Sequence, residues 1–304
     1  MTRSTFRIGV AALAMAALVP VASAQLVIGT TSTATTNGAA FYIDLNTLTA
    51  STLWNSASNK KVNGLAADTA TGTLYANDAA RLNKWSYGSI GTAPTLIGGM
   101  FRTNDNTTFN ATGVDGLAFA NSKLYGITSF ASAAYRRGIY ELPTAADANS
   151  RVVMKPVWTD PSGTVSFGGL EYNNANGLFY CTQSATTGTW TPGIWTVDAF
   201  GSGAATKLAD FPAGQTRLDG LAIGNGYLWM TEQLSASSEI RIYQYNLATN
   251  LYEDGYFSLP YTDPSNRASG ACWAPGANRL FPTPGALSVL GMVALGGRRR
   301  RARA

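Results

Sequence analysis

A glycine-centred phrase recurs five times along the chain at intervals of about 50 residues, which constrains the fold more than any other feature. An apolar–aromatic pair follows each glycine roughly ten residues later, and turn-forming residues such as Asn-Gly lie between them. The glycines are Gly64, Gly116, Gly169, Gly220 and Gly270, and the pairs are Leu74-Tyr75, Leu124-Tyr125, Phe179-Tyr180, Leu228-Trp229 and Leu280-Phe281. Each unit is therefore predicted to open with a β-hairpin.

A third strand-like element follows in the first four units and is missing from the fifth, where the chain reaches Pro282. Near the start of the chain, however, Leu26-Val27-Ile28-Gly29 resembles a second strand and Phe41-Tyr42-Ile43-Asp44 resembles a third. We therefore expect the N-terminal strands to complete the last unit. Such closure leaves the assembly without a free sheet edge.

These repeats predict an all-β fold, a β-propeller spanning residues 25–281. A period of about 50 residues with three or four strands is typical of propeller blades. Glycine at the start of the innermost strand suits the crowding of backbones near a central channel. Five blades are predicted, and six remain open if 86–113, which is long and rich in Gly, Thr and Asn, contains a degenerate unit.

Residues 1–24 have the pattern of a secretory signal peptide. Arg3 and Arg7 supply the positive start, and an apolar stretch follows from residue 8 to 21. Small residues then lead up to Ala24, so cleavage is predicted between Ala24 and Gln25 by signal peptidase. The protein is accordingly expected to be exported.

Residues 282–304 have the pattern of a second targeting segment. The apolar stretch 284–297 would span roughly 21 Å as a helix, which is short of a hydrocarbon core of about 30 Å. The proline-bearing motif, this short helix and the arginine run together resemble the PEP-CTERM sorting signal of Gram-negative bacteria, here in a Pro-Thr-Pro-Gly variant. The motif residues are Pro282, Thr283, Pro284 and Gly285, and the run contains Arg298, Arg299, Arg300 and Arg301. The resemblance implies transient retention at the inner membrane by this segment alone and processing by an exosortase; an ordinary C-terminal anchor is the alternative.

Charge and residue type exclude several functions. Seven of the 22 basic residues lie in the two end segments, which leaves 15 against 17 acidic residues, so the folded part carries no basic stripe for nucleic acid. The chain has no histidine, which removes histidine-based nucleophilic catalysis and the commonest zinc sites. The two cysteines, Cys181 and Cys272, are predicted to be buried free thiols, with a disulfide as the alternative.

The residue before each repeat glycine is expected to point into the mouth of the channel, where propellers bind ligands. These residues are Asn63, Asp115, Gly168, Asp219 and Ser269. Two carboxylates, an amide and a hydroxyl could together hold Ca²⁺, which takes oxygen ligands. Alternatively, Asp115 and Asp219 cap turns by accepting backbone N–H groups. The nearby Glu171 and Glu232 are expected to face solvent.

The Asp-Gly-Leu-Ala phrase at Asp115 and Asp219 resembles the inner strands of NHL-type propellers and gluconolactonase-type lactonases. In the lactonases this resemblance implies a divalent metal held by the aspartate. No catalytic set is otherwise assembled, so the favoured function is a binding or scaffold module of the cell envelope or extracellular matrix, with an envelope polysaccharide or protein as partner. The alternatives are a metal-dependent lactonase-like hydrolase using Asp115 and Asp219, and a carbohydrate-binding propeller that stacks sugars on Trp190, Trp195, Trp229 or Trp273.

Overall fold

The computed structural model describes residues 25–32, 39–45, 47, 49–55, 62–78, 80–87, 92–104, 107–111, 113–129, 136–232, 239–260 and 266–275. Every regular element in this part of the chain is a β-strand. The signal-peptide prediction for 1–24 and the sorting-signal prediction for 282–304 lie outside the described residues, and Gln25 is the first residue of a strand. Among the residues described, there is no helix with the length and apolar character needed to cross a membrane.

The described strands group into five antiparallel units, each named here after its innermost strand. The β4 unit contains β4 (Gly64–Asp68), β5 (Thr73–Asn77), β6 (Arg81–Ser86), β7 (Thr95–Asn104) and β8 (Thr107–Asn110). The β9 unit contains β9 (Val114–Ala120), β10 (Lys123–Thr128), β11 (Gly138–Leu142) and β12 (Arg151–Thr159). The β13 unit contains β13 (Phe167–Asn173), β14 (Leu178–Gln183), β15 (Gly193–Val197) and β16 (Ala205–Ala209).

The remaining two units complete the β-propeller. The β17 unit contains β17 (Leu218–Gly224), β18 (Tyr227–Glu232), β19 (Glu239–Asn246), β20 (Leu251–Tyr252) and β21 (Phe257–Pro260). The β22 unit contains β22 (Asn266–Trp273), β1 (Gln25–Ser32), β2 (Ala39–Asp44) and β3 (Thr49–Asn55). The predicted all-β propeller fold is thereby confirmed.

The predicted hairpins open the first four units, where each innermost strand pairs with the next strand in sequence. Their turns contain the left-handed backbone that the sequence indicated: φ is 53° at Asn225 and 82° at Gly226. The β9–β10 turn uses Asn121 at 49° and Ser122 at 60°. Paired positive φ angles match the twist of the flanking strands, which is why such short turns close hairpins.

The two ends of the described chain meet in the β22 unit, as predicted. Leu26 pairs with Trp273 and Ile28 with Ala271, so β1 is the second strand of this unit and β2 is the third. The position beside β22 that the repeat pattern assigned to Leu280-Phe281 is thus taken by β1; those two residues lie outside the described part. In the β22 unit, the first two strands, β22 and β1, come from opposite ends of the described chain, whereas in the other units a hairpin connects the first two strands.

The stretch 86–113 belongs to the β4 unit in the part of it that is described. Strand β7 is the outer strand of that unit, and β8 folds back onto it. Strand β7 also pairs in parallel with β12, which joins the outer edges of two neighbouring units into one sheet. This segment therefore extends an existing unit, and five remains the predicted number of blades for the whole chain.

Aromatic side chains fill the space between neighbouring units. The ring of Tyr125 in the β9 unit meets Phe179 of the β13 unit edge-on, with ring centroids 5.1 Å apart. Tyr75 stacks on Phe119 across the next interface at 5.9 Å. Cys181 and Cys272 are free and buried in separate hydrophobic clusters, as the sequence favoured. Such aromatic contacts add about 0.5–1.5 kcal/mol each to the burial of their apolar surface.

Backbones crowd at the centre, and the repeat glycines permit this. A Cβ atom on Gly116 would lie 2.5 Å from the backbone nitrogen of Leu170 in the next unit. A Cβ atom on Gly270 would lie 3.0 Å from the carbonyl oxygen of Asn63 in the β4 unit, so the contact continues across the closure. Each innermost strand therefore packs directly on its neighbour around the ring.

Candidate functional site

The side chains at the mouth of the channel are aimed there by β-bulges. In β9, Asp115 and Gly116 together oppose one residue of β10, and in β13 the pair Gly168 and Gly169 does the same against β14. Asp219 is an extra residue in β17, and Ser269 is an extra residue in β22. A bulge leaves its extra residue out of the ladder and re-aims its side chain.

Hydroxyl groups on the second strands stabilise two of these bulges. Thr182 Oγ1 accepts a hydrogen bond from the amide of Gly169 at 2.8 Å, and Thr231 Oγ1 accepts one from the amide of Gly220 at 3.1 Å. A buried amide that the ladder does not pair would otherwise cost about 1–3 kcal/mol. The amide groups of Gly169 and Gly220 thus have hydrogen-bond partners despite the bulges.

The structure brings all five predicted mouth residues together around one cavity of about 350 Å³. We call it the mouth cavity; it is lined by Asn63, Asp115, Ser129, Ser166, Phe167, Gly168, Ser184, Arg217, Asp219 and Ser269. The prediction that the residue before each repeat glycine faces a shared opening agrees with this lining. A cavity of this size is within the range that accommodates a small ligand.

Asp219 is the more strongly anchored of the two carboxylates in the mouth cavity. Its Oδ1 accepts a hydrogen bond from Ser184 Oγ at 3.0 Å. Its Oδ2 accepts one from Arg217 Nε at 3.2 Å, and the arginine side chain is about half exposed. The pair places a fixed negative charge beside a positive one at the opening.

Asp115 is the other carboxyl group of the mouth cavity. Ser129 Oγ donates a short hydrogen bond to Asp115 Oδ2. Burial, aided by the negative charge of Asp219, raises the pKa of Asp115 to about 7 against the opposing effects of Ser129 and Arg217. The Asp115 carboxyl therefore titrates near neutral pH.

Ser269 and Asn63 contribute less chemistry to the cavity than the aspartates do. Ser269 is buried, and its hydroxyl donates to the carbonyl oxygen of Val62 at 2.8 Å, which ties β22 to the β4 unit. The backbone amide of Asn63 donates to the carbonyl oxygen of Asn77 at 2.9 Å. Ser269 therefore acts first as a structural contact between units.

The residues that sequence reasoning missed are Ser129, Ser166, Phe167, Ser184 and Arg217. Ser129 and Ser184 each lie four residues after the tyrosine of their repeat pair, Tyr125 and Tyr180, so the repeat alignment itself contained a signal for them. Arg217 lies two residues before Asp219, and the sequence has Arg267 at the same position before Ser269 and Lys61 at the same position before Asn63, so the repeat alignment contained a signal for it as well.

The alternative role of Asp115 and Asp219 as turn caps is carried out by other acids. Asp68 accepts hydrogen bonds from the amides of Ala70 and Thr71, and Asp160 accepts them from Thr164 and Val165. The bonds described above for Asp115 and Asp219 come instead from serine hydroxyls and from Arg217. Asp115 and Asp219 thus hold serine and arginine side chains in place around the mouth cavity.

The donor set of the mouth cavity fits Ca²⁺ poorly. Three of the four carboxylate oxygens already accept hydrogen bonds from Ser129, Ser184 and Arg217, and a guanidinium group next to Asp219 opposes a cation. Within the described ranges, no three acidic, cysteine or histidine side chains are grouped so that they could hold a metal ion. A Ca²⁺ ion, which takes six to eight oxygen ligands, would have to displace these protein donors and lie beside the Arg217 guanidinium.

Glu171 and Glu232 do not face solvent, so that expectation was wrong. Glu232 is buried and accepts hydrogen bonds from Tyr243 Oη at 3.2 Å and Arg241 Nη1 at 3.5 Å. Glu171 is buried on the innermost strand β13. The general preference of acids for exposed positions did not hold here because both faces of these strands are covered by neighbouring units.

The tryptophans proposed to stack sugars serve mainly in packing. Trp190 and Trp229 are buried, and Trp195 packs against Trp190 with ring centroids 4.6 Å apart. Trp273 is partly buried, stacks on Trp229 at 6.0 Å and lines a second cavity, away from the mouth. None of the four lines the mouth cavity.

Comparison with family models finds no match, and comparison with curated proteins finds none either. Among solved structures, the nidogen/laminin complex aligns with a TM-score of 0.48 at 15% identity over 82% of this chain and 98% of the other. TolB from Acinetobacter baumannii aligns with a TM-score of 0.47 at 14% identity over 83% of this chain and 67% of the other. The β-propeller assignment rests on the strand pairing and ring closure described above.

Proposed function

We propose that this protein is a binding module whose ligand is a small hydroxyl-rich molecule, such as a saccharide unit of an envelope polysaccharide, held in the mouth cavity. The observation that carries the proposal is the convergence of Asp115, Asp219, Arg217 and several serine hydroxyls around about 350 Å³. Carboxylates accept hydrogen bonds from ligand hydroxyls, and a guanidinium donates to ligand oxygens. The same groups would discriminate against an apolar ligand, which would leave them unpaired.

The charge state of the pair supports a neutral polyol. Arg217 offsets the charge of Asp219, and the raised pKa of Asp115 keeps much of that group neutral at pH 7. A neutral acid both donates and accepts hydrogen bonds, as a sugar hydroxyl does. The metal-dependent hydrolase is not proposed, because the oxygens that would ligate the metal are bound to protein donors.

The test is titration of the purified protein with glucose, galactose, N-acetylglucosamine and glucuronic acid, followed by saturation-transfer NMR and calorimetry. Asp219→Asn is expected to weaken the best ligand at least about tenfold, since hydrogen bonds to charged groups contribute roughly 1.5–3 kcal/mol. Asp254→Asn, at an exposed turn, is the matched control and should bind like the wild type. Equal binding by wild type and Asp219→Asn, or no binding of any of the four sugars, would overturn the proposal. CaCl₂ is titrated in parallel to test the metal alternative.

We further propose that the protein reaches the cell envelope through its two end segments. The positive start and small-residue site of 1–24 support export and cleavage before Gln25, and the motif of 282–285 with its arginine run supports exosortase processing. Mass spectrometry of the mature ends from native cells tests both. An intact Met1 would refute cleavage by signal peptidase, and an intact terminal arginine run would refute removal of the tail.

A further inference from the structure

A second cavity, of about 370 Å³, lies at the other end of the innermost strands. It is built from the hairpin turns of the β4, β9 and β13 units and from the ends of β17 and β22, and it shares no lining residue with the mouth cavity. We call it the rear cavity. Its chemically distinctive lining residues are Asp68, Phe119, Asn121, Glu171, Tyr172 and Trp273.

Glu171 is the buried acid of the rear cavity. Only 8% of the residue is exposed, and its carboxylate accepts hydrogen bonds from the backbone amides of Tyr172, at 3.0 Å, and Ile223. Burial raises the pKa of Glu171 to about 8 despite these bonds. No lysine or arginine is among the described residues that line the cavity, so no protein cation stands opposite this acid there.

The other titratable groups beside Glu171 are acidic or neutral. Asp68 is buried in its turn, where it accepts hydrogen bonds from Ala70 and Thr71. The pKa of the Cys272 thiol is raised by burial and also by the charge of Glu171, which places the two groups near each other. Tyr172 is the remaining titratable group of the lining. The described lining of the rear cavity thus contributes acidic groups and no basic one.

Aromatic rings form the walls of the rear cavity. Trp273 and Phe119 are both partly exposed, and each is held in place by a stacked neighbour, Trp229 at 6.0 Å and Tyr75 at 5.9 Å. The faces of such rings carry negative electrostatic potential and attract organic cations. The buried acid, with no cationic side chain in the described lining of the cavity, and the fixed aromatic rings both favour an organic cation as the ligand.

We propose that the rear cavity binds an organic ammonium cation, with Glu171 opposing its charge and Trp273 and Phe119 contacting its alkyl groups. Binding stabilises the ionised carboxylate, so the proton of Glu171 passes to the solvent as the cation enters. A carboxylate ligand would be disfavoured beside the two carboxyl groups of Glu171 and Asp68, and a neutral ligand would leave Glu171 protonated and gain no ion pair. This site does not depend on the function proposed for the mouth cavity.

The test is calorimetric and NMR titration of the full-length protein with choline, with Nα-acetyl-lysine amide, and with 3,3-dimethylbutan-1-ol, the neutral isostere of choline. We expect choline to bind and to shift the indole resonance of Trp273, and the isostere to bind at least about tenfold more weakly. Glu171→Gln should weaken choline binding by a similar factor, whereas Glu253→Gln, an exposed acid on another unit, should not. Lysine amide binding alongside choline would assign the site to ammonium groups in general, and choline alone to quaternary ammonium.

A second measurement keeps the proposal testable if Glu171→Gln does not fold. Choline titration of the wild type at pH 7, in two buffers of different ionisation enthalpy, reports the protons released, and about one per bound cation is expected. Release near zero, equal affinity for the neutral isostere, unchanged affinity in a folded Glu171→Gln variant, or no choline binding at roughly millimolar concentration would each overturn the proposal.

Discussion

Replacing Gly116 by alanine tests the closed ring of innermost strands directly. The new Cβ atom would lie 2.5 Å from the nitrogen of Leu170 and 2.9 Å from the carbonyl oxygen of Gly168, both backbone atoms of the next unit. Because neither atom can rotate away, the two units must move apart. Overpacking of this kind lowers the free energy of unfolding by about 1–3 kcal/mol, and because the atoms met are rigid backbone atoms of the β13 unit, the expected loss is near 3 kcal/mol.

The matched control is Gly99→Ala, the same chemical change on the outer strand β7. There the new Cβ atom would meet only the tip of the Phe101 ring, at 3.2 Å, and the ring can move by a few tenths of an ångström. Gly99→Ala is therefore expected to change the free energy of unfolding by no more than about 0.5 kcal/mol. The contrast isolates the crowding at the ring from the general effect of alanine on an unfolded chain.

The assay is urea unfolding followed by tryptophan fluorescence, with the slope of the transition compared between variants. Gly116→Ala should lower the midpoint at unchanged slope, and in a thermal scan it should melt roughly 6–12 °C below the wild type if the loss is about 3 kcal/mol. If Gly116→Ala were as stable as Gly99→Ala, the innermost strands would not be packed backbone to backbone, and the ring closure argued above would be refuted.

Three further predictions concern buried polar groups. Burial opposes the ionisation of Asp160, but hydrogen bonds from Val165 and its neighbours outweigh it and lower the pKa of this group. Its stabilising effect is therefore present above the ordinary aspartate pKa of about 4 and is lost in acid. Asp160→Asn should lower the free energy of unfolding in urea by about 1–3 kcal/mol at pH 7 and leave it unchanged at low pH. Burial raises the pKa of Glu171 from 4.5 to about 8, so stability should fall as pH rises through that window, and Glu171→Gln should flatten this part of the profile; an unchanged profile would contradict the burial of the acid. Burial raises the pKa of the Cys181 and Cys272 thiols well above the usual value, so a thiol reagent should label the native protein only at the rate of unfolding, and fast labelling would show that the two clusters are open.

The sequence predicted the architecture because the architecture repeats. Glycine at the start of each innermost strand and the aromatic pair that follows are required once per unit, so their spacing reported the strand order, and Phe41–Asp44 indicated where the ring closes. The same repetition placed Asp115 and Asp219 at a shared opening, since equivalent positions in a ring face the same centre. Because the ring closes, residues that recur at a fixed spacing along the chain come together in space.

The parts that the sequence did not predict are those that differ between units. The β-bulges arise from local crowding around the repeat glycines, and no residue pattern distinguishes Asp219 in a bulge from a regular strand position. Arg217 shares its repeat position with Arg267 and Lys61, so the alignment marks a basic residue there, but the pairing of Arg217 with Asp219 appears only in three dimensions. Glu171 looked solvent-facing because its burial depends on Ile223 and Cys272, which come from two other units.

The crowded centre also explains why the two cavities carry opposite chemistry. Strands β9 and β13 each approach β22 across the middle of the ring, to within 8 Å between Cα atoms, which leaves no room for a ligand between the two ends. Each end is therefore built by a different set of residues. At the mouth, bulges supply Asp115, Asp219 and Ser269, and residues just outside the strands supply the other serines and Arg217; at the rear, turns and innermost strands supply Glu171 and aromatic rings. Because the residues around each cavity are separate and the strands between them are fixed by backbone contacts, substitutions in the lining of one cavity are expected to leave the other unchanged. A single closed ring can in this way present two independent recognition sites.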